Sequence, residues 1–153
     1  MQEHTETAIR LAAALVCSGV LGWERERSKR PAGLRTHMMV GLGSAAFTIL
    51  AFDLIGQINE NPDYQGLDPT RIVAAIIGGV GFLGAGAIIQ SRGEITGLTT
   101  AASVWVAAAI GMSSGAGMYV LTGMVAALGL LTLWGLRFVA ANVDGTTKSE
   151  DSD

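Results

Sequence analysis

The residues best suited to chemistry form a short charged cluster, the run from Glu24 to Arg27, which is followed by Arg35 and His37. Carboxylates and guanidinium groups at such short spacing can pair through charge-assisted hydrogen bonds, or they can present charge to an ionic ligand. We favour a structural role in which Glu24 pairs with Arg25 and Arg35 and locks two neighbouring helices together. One alternative is a positive-inside membrane anchor, whose acids simply pair with neighbouring arginines. The other is a site that faces an ionic ligand or a protein partner.

Glycines dominate a second informative stretch, which runs from Gly78 to Gly86. Glycine removes the side chain that holds helices apart, and close backbone approach is a main source of helix association in a membrane. We therefore favour packing against the helix that follows, which is also rich in small residues. The alternative is a helix that is kinked or unwound here and exposes backbone groups to an ion or a small solute. The candidate contact residues are Gly79, Gly81, Gly84 and Gly86, together with Thr100 at the start of the facing helix.

Asp53 is the only acidic residue well inside an apolar stretch, about one helical turn from its end. A carboxylate within a membrane is a functional-site hypothesis by default, because ionising it in hydrocarbon is costly. The alternative is that Asp53 is hydrated, or that it pairs with Arg71 or Arg10 at the same depth. Asp53 and Arg71 are both candidates for binding a ligand or a partner. Asp68 is expected to cap the next helix, with Pro69 at its first position.

The sequence lacks the common catalytic signatures. It has no nucleophile elbow, no zinc-protease motif, no phosphate-binding loop and no Cys/His ligand set, and Cys17 is its only cysteine. The net charge of -3 provides no basic field for nucleic acid. We expect no enzymatic activity, no cofactor, no metal site and no nucleic-acid partner.

Five apolar stretches separate the charged clusters. Half of the residues are hydrophobic and only 15% are charged. About 20 residues at a rise of 1.5 Å cross a hydrocarbon core of about 30 Å. The sequence therefore predicts an all-α, polytopic membrane helix bundle with five transmembrane helices. The predicted stretches are Ala8 to Trp23, His37 to Ile58, Ile72 to Gln90, Leu98 to Met112 and Gly117 to Leu136.

Most of the lysines and arginines lie in the first loop, the third loop and the C-terminal tail. Five crossings place these three segments on one side, so the positive-inside rule puts the C-terminus in the cytoplasm and the N-terminus outside. The N-terminus lacks the cationic region of a signal peptide, so the first apolar stretch is expected to remain in the mature protein. The predicted domains are a transmembrane domain over residues 1–140 and a disordered acidic tail over residues 141–153.

Several ordered motifs resemble the MgtC/SapB family of bacterial inner-membrane proteins over about residues 8–119. They are Gly22 with Glu24-Arg25, Ala32-Gly33-Leu34-Arg35-Thr36-His37, Arg71, the run from Gly79 to Gly86, and Gly97-Leu98-Thr99-Thr100-Ala101-Ala102 with Trp105 and Ala109-Ile110-Gly111. The resemblance implies a multi-pass protein of the bacterial plasma membrane. Better-known members of the family are linked to growth under magnesium limitation and to survival inside host cells, and have been discussed as modulators of other membrane machines. Members named for the magnesium response usually carry a soluble C-terminal domain, whose regulation is not expected here.

The resemblance and the residues together predict a non-enzymatic protein that acts through contacts with other membrane proteins. Its expected partners are the lipid bilayer, other membrane proteins and, through small-residue faces, a second copy in a homodimer. The alternative function is a transporter or channel for an ion or a small solute. In that case the glycines of the third helix, with Glu24, Arg35 and Asp53, would line the path.

Overall fold

The computed structural model of the protein describes residues 2–59, 68–91 and 94–147. Five helices make up nearly all of this part of the chain, as the apolar stretches predict. They are α1 (Gln2–Arg27), α2 (Leu34–Asn59), α3 (Pro69–Gly86), α4 (Leu98–Gly115) and α5 (Tyr119–Thr147). A small β-hairpin, formed by β1 (Ile89–Ser91) and β2 (Glu94–Thr96), joins α3 to α4.

Three of the helices are long and apolar enough to cross a membrane. They are α1 over Glu3–Arg27, α2 over Leu34–Gln57 and α4 over Leu98–Gly115. The apolar parts of α3 and α5, Thr70–Gly86 and Tyr119–Gly135, are shorter. The prediction of an all-α membrane helix bundle is confirmed, whereas the orientation of the termini stays a prediction.

The third helix ends earlier than the sequence predicts. It stops at Gly86 rather than at Gln90, and Gln90 lies in β1, where it is paired with Ile95 of β2. Glycine is a poor helix former, and the two glycines in the last turn weaken the helix there. The antiparallel hairpin then supplies backbone partners for the residues that follow. The helix itself is continuous from Pro69 to Gly86, so it is not unwound along its glycines.

The fifth helix continues past Leu136 to Thr147. The segment from Phe138 to Val143 is rich in alanine and other apolar residues, which can extend a helix beyond the end of the hydropathic stretch. The boundary predicted at residue 141 therefore falls inside α5. Residues 148–153 of the predicted tail lie outside the described residues, and the domain division stays a prediction.

The N-terminus of α3 has the predicted cap. The Asp68 carboxylate accepts a hydrogen bond of 2.9 Å from the backbone N–H of Thr70, and Pro69 occupies the first helical position. Hydrogen bonds from the side chain and the backbone of Thr70 hold the pKa of Asp68 below its usual value. This capping interaction fixes where α3 begins.

The core of the bundle lies where α4 packs against α1 and α2. The closest approach is at Gly111, where an added Cβ would overlap the carbonyl oxygen of Gly41 and lie 2.8 Å from the Cβ of Ser44. Buried hydroxyls in this region donate to backbone carbonyls, so they add no unsatisfied groups. Thr48 donates to Ser44 of its own helix, whereas Ser114 of α4 donates to Arg10 of α1 at 2.7 Å. The contact between α2 and α4 is thus made largely by backbone and small side chains.

The glycine run of α3 packs less than predicted. Only Gly84 approaches α4, with its added Cβ 3.6 Å from the Cβ of Ala101. An added Cβ at Gly78, Gly79, Gly81 or Gly86 meets no described atom within 4 Å. The prediction is correct for Gly84 and wrong for the others, because the small-residue face of α4 is already occupied by α2.

Leucine at position 111 should disrupt the bundle. Gly111→Leu forces α2 and α4 apart, and overpacking of this kind costs about 3 kcal/mol. Gly123→Leu on α5 is the matched control, because an added Cβ at Gly123 meets nothing within 4 Å. Thermal unfolding of the purified proteins in detergent should show a lower midpoint for Gly111→Leu only. Equal midpoints for the two variants would contradict this account of the core.

The predicted orientation can be tested with single cysteines in a Cys17→Ala background. Glu3→Cys should react with a membrane-impermeant maleimide in intact cells. Ser149→Cys should react only after the membrane is permeabilised, because the positive-inside rule places the C-terminus in the cytoplasm. The reverse labelling pattern would show that the bundle is inverted.

Candidate functional site

Glu24 and Arg25 form a buried ion pair in the last turn of α1. Their side chains are 9% and 5% exposed, and both Nε and Nη2 of Arg25 donate to Oε2 of Glu24. The hydroxyl of Ser28 donates a hydrogen bond of 2.8 Å to the other carboxylate oxygen. The predicted pairing of Glu24 with Arg25 is therefore present. Arg35 is exposed and makes no ion pair with a described acid.

The end of α1 positions this pair. Lys29 adopts a left-handed conformation with φ of 53°. The backbone N–H of Arg30 then donates to the carbonyl of Arg25, and that of Lys29 donates to the carbonyl of Glu26. This pattern is a Schellman motif, which usually places glycine at the left-handed position. It turns the chain sharply, so that α2 begins beside the last turn of α1.

Glu26 makes a hydrogen bond from α1 to the start of α2. Its carboxylate accepts a hydrogen bond of 3.0 Å from the backbone N–H of Leu34, one of the free donors at the N-terminus of α2. An added Cβ at Gly33 would overlap that carboxylate, so the glycine makes room for the cap. The lock between the first two helices thus involves an acid that the sequence interpretation left out.

His37 connects α2 with α4 and has no exposed surface. Its Nδ1 lies 2.9 Å from the carbonyl oxygen of Gly33, and its Nε2 lies 3.0 Å from the hydroxyl of Ser103. A carbonyl only accepts hydrogen bonds, so Nδ1 donates to Gly33. The hydroxyl of Ser103 also lies 2.8 Å from the carbonyl oxygen of Thr100, to which it donates. The sequence signal for this contact between helices was a single histidine near the start of a long apolar stretch.

A pocket of about 710 Å³, lined by both polar and apolar side chains, opens beside the ion pair. We call this end of the bundle, where the β-hairpin lies, the hairpin end. Arg25 and Thr100 both line the pocket, so the structure brings these two candidates together. The first turn of α4 also faces it, and Gly97 at the N-cap, with φ of 89°, offers no side-chain cap. The other lining residues are Ser28, Arg30, Ile95, Leu98, Thr99, Ala102, Thr132 and Leu133.

This arrangement provides positive charge and hydrogen-bond donors, but no catalytic pair is evident in it. The Glu24 carboxylate neutralises Arg25, while the exposed Arg30 extends the positive surface. Among the described residues there is no group of three or more His, Cys, Asp or Glu side chains that could hold a metal ion. The pocket is suited to contact with polar or anionic groups.

The other candidates lie elsewhere. Asp53 and Arg71 are exposed near the opposite end of the bundle, and neither makes an ion pair in the described part of the chain. Gly79 lines a groove between α2 and α3, whereas Gly81 and Gly86 are exposed and Gly84 faces α4. The ten predicted site residues therefore do not form one site.

Arg10 belongs to a network at that opposite end that the sequence did not reveal. Its Nε donates to Glu6 at 3.1 Å, and its Nη1 donates to the carbonyl of Gly115 at 3.1 Å. The hydroxyl of Tyr119 donates to the same Glu6 oxygen at 2.8 Å. This network ties the start of α1 to the turn between α4 and α5. Arg10 therefore pairs with Glu6 and not with Asp53.

Removal of one partner from the buried ion pair should be costly. Glu24→Gln leaves the Arg25 charge buried without its counter-ion, which should lower the free energy of unfolding by about 3 kcal/mol. The double variant Glu24→Leu/Arg25→Leu should recover most of that loss. Denaturant titration of the purified proteins in detergent measures both effects.

Glu26→Gln is the control for this prediction. Its side chain is exposed, and the amide oxygen can still accept the hydrogen bond from Leu34, so the change should stay within about 1 kcal/mol. If Glu24→Gln were as stable as Glu26→Gln, the ion pair would have no structural role.

Comparison with known proteins identifies the family. The model of the MgtC family matches residues 11–142. The protein "Putative magnesium transporter YhiD" of Escherichia coli K12 is 46% identical over 103 residues, which are 67% of this chain and 47% of that protein. "Protein MgtC" of Brucella abortus is 40% identical over 102 residues, or 67% of this chain and 39% of that protein.

An uncharacterised protein of Synechocystis is 40% identical over 106 residues, which are 69% of this chain and 42% of that protein. The chain spans less than half the length of these three relatives. No solved structure matches. The extent of the family match, together with the identity to these relatives, shows that the chain belongs to the MgtC family.

Proposed function

We propose that this chain is a non-enzymatic protein of the bacterial inner membrane that acts through contacts with other membrane proteins. One surface carries the proposal, a row of small residues along α3 that we call the small-residue stripe. It consists of Ala74, Gly78, Gly81 and Ala85. All four are exposed, and an added Cβ at either glycine meets no described atom within 4 Å.

The spacing of the stripe suits contact with another helix. Its members recur every three or four residues, so they lie along one side of α3. In a membrane, such small residues let a second helix approach closely and gain van der Waals contact along its length. The glycines at the α2–α4 contact serve this purpose within the chain, whereas the stripe has no described partner. It is therefore suited to a helix of another protein or of a second copy.

The names of the relatives support a role related to magnesium. One is named as a putative magnesium transporter and others bear the name MgtC. We infer that the chain supports adaptation to low magnesium, and to host conditions as the family resemblance implies, by modulating another membrane protein. The closely packed α1–α2–α4 core favours modulation over conduction, because backbone contact at Gly111 leaves little room for a solute between these helices.

The second candidate is a transporter or channel for an ion or small solute. The name of the Escherichia coli relative and the pocket beside Arg25 at the hairpin end favour it. A magnesium-sensitive dye enclosed in liposomes distinguishes the two functions. Purified protein that moves no magnesium under a gradient supports modulation. Flux that Glu24→Gln or Gly81→Leu abolishes, in protein that remains folded, would favour transport instead.

Site-specific photocrosslinking in cells tests the stripe directly. Phe82 lies beside the stripe and is 80% exposed, so it can be replaced by benzoylphenylalanine with little change in shape. We expect one dominant protein adduct from this position, and Gly78→Leu should reduce it about tenfold because the added side chain holds the partner helix away. The mass of the adduct distinguishes a second copy from a different protein.

Val120 on α5 provides the matched control, because it is 79% exposed. The same crosslinker at position 120 should give no dominant protein adduct. Adducts of equal yield from both positions, or an adduct at position 82 that Gly78→Leu leaves unchanged, would contradict the proposal.

A further inference from the structure

A long apolar groove lies between α2 and α3, and its volume is about 710 Å³. We call it the α2–α3 groove. Its floor contains small residues, including Gly43, Ala51, Ala75 and Gly79, while larger side chains such as Phe47 form its rim. The remaining lining residues are Met39, Val40, Ser44, Leu50, Leu54, Arg71, Ile72, Ile76, Val80 and Leu83.

The dimensions of the groove limit what can fill it. Arg71 and Leu83 lie twelve residues apart on α3, which corresponds to a length of about 18 Å. The lining between these two residues is almost wholly apolar, so the groove offers an acyl chain a continuous hydrocarbon surface of that length.

The length of the groove also agrees with a lipid. One leaflet contributes about half of a hydrocarbon core of about 30 Å. An acyl chain that reaches to the middle of the bilayer would thus occupy most of the groove. The apolar walls of the groove would take the place of neighbouring lipid tails. The small residues of its floor would let the acyl chain lie close to the protein backbone.

A single charged residue lies at one end of this apolar surface. Arg71 is near the start of α3, so it lies toward the membrane surface when the helix crosses the bilayer. Its guanidinium group makes no ion pair with a described acid. The nearby Asp68 carboxylate accepts its hydrogen bond from the backbone of Thr70. Guanidinium groups bind phosphate oxygens through paired, charge-assisted hydrogen bonds.

We propose that the α2–α3 groove binds one acyl chain of a glycerophospholipid, whose phosphate is held by Arg71. The apolar walls recognise the chain, and the charge at the groove's end recognises the headgroup. This site is separate from the small-residue stripe. Gly78 belongs to the stripe and Gly79 to the groove, since successive residues of a helix point about 100° apart.

Two adjacent glycines give a matched test. An added Cβ meets no described atom at either Gly78 or Gly79, so leucine can be accommodated at both. Native mass spectrometry of protein extracted in mild detergent should show one retained phospholipid per chain. Gly79→Leu fills the groove and should reduce lipid retention at least tenfold, whereas Gly78→Leu should leave it unchanged. Ala75→Leu, also in the groove, should act as Gly79→Leu does.

The role of Arg71 is tested with defined lipids added to delipidated protein. Dioleoylphosphatidylglycerol should bind at least tenfold more tightly than dioleoylglycerol, which has the same chains and no phosphate. Arg71→Gln should remove that difference, and Arg71→Lys should retain part of it. The melting temperature of each variant without lipid shows that the bundle is folded.

Three results would overturn the inference. They are the absence of retained phospholipid in the unmodified protein, equal lipid loss in the two glycine variants, and unchanged phosphatidylglycerol binding by Arg71→Gln. Retention of a second copy that only Gly79→Leu abolishes would show that the groove binds protein instead. These outcomes do not depend on the crosslinking at Phe82, so the lipid site and the proposed function can fail separately.

Discussion

The near-contact of two backbones, α2 at Gly41 and α4 at Gly111, is the constraint on which the rest of the structure depends. Lipid tails are as apolar as leucine, so helices in a membrane associate chiefly through close packing and hydrogen bonds between them. A small-residue contact of this kind brings the helix axes close together. It lets His37 of α2 reach Ser103 of α4, and it holds the first turn of α4 beside the end of α1.

The burial of the Arg25 charge at the hairpin end depends on this close packing of α2 and α4. Arg25 is 4% exposed, and burying an unpaired guanidinium is costly. Three features reduce the cost, namely the adjacent Glu24 carboxylate, the hydroxyl of Ser28 and the open pocket beside Arg25. Burial of this pair contributes less to net stability than its geometry suggests, because desolvation offsets the attraction.

The sequence predicted the number of helices well, because five apolar stretches separated by charged clusters leave few alternatives. It predicted their ends less well. The hairpin has three residues in each strand, too few for a periodic pattern. The end of α5 was missed because the apolar stretch ends earlier in the sequence than the run of helix-forming residues. The cap at Asp68 was predicted correctly, because Asp-Pro at the start of an apolar stretch is a local signal.

The candidate site was harder to predict because its geometry depends on two turns. The charged cluster indicated a lock between helices, and Glu24 does pair with Arg25 as predicted. However, the Schellman motif at Lys29 directs Glu26 toward α2 and leaves Arg35 exposed. A usable signal was present in Gly33, because a glycine directly before a helix can admit a side-chain cap from elsewhere in the chain. Composition alone does not indicate which acidic residue provides this cap.

The glycine run of α3 shows how one sequence motif can serve several surfaces. Successive residues of a helix are about 100° apart, so glycines at 78, 79 and 84 point in three directions. Gly84 admits Ala101 of α4, Gly79 forms part of the groove floor and Gly78 belongs to the small-residue stripe. The sequence suggested that the glycine run forms a single packing face. In the structure it contributes to one contact within the chain and to two surfaces that are open to the membrane. Because α4 is already packed against α2, α3 can present both of those surfaces outward without weakening the core.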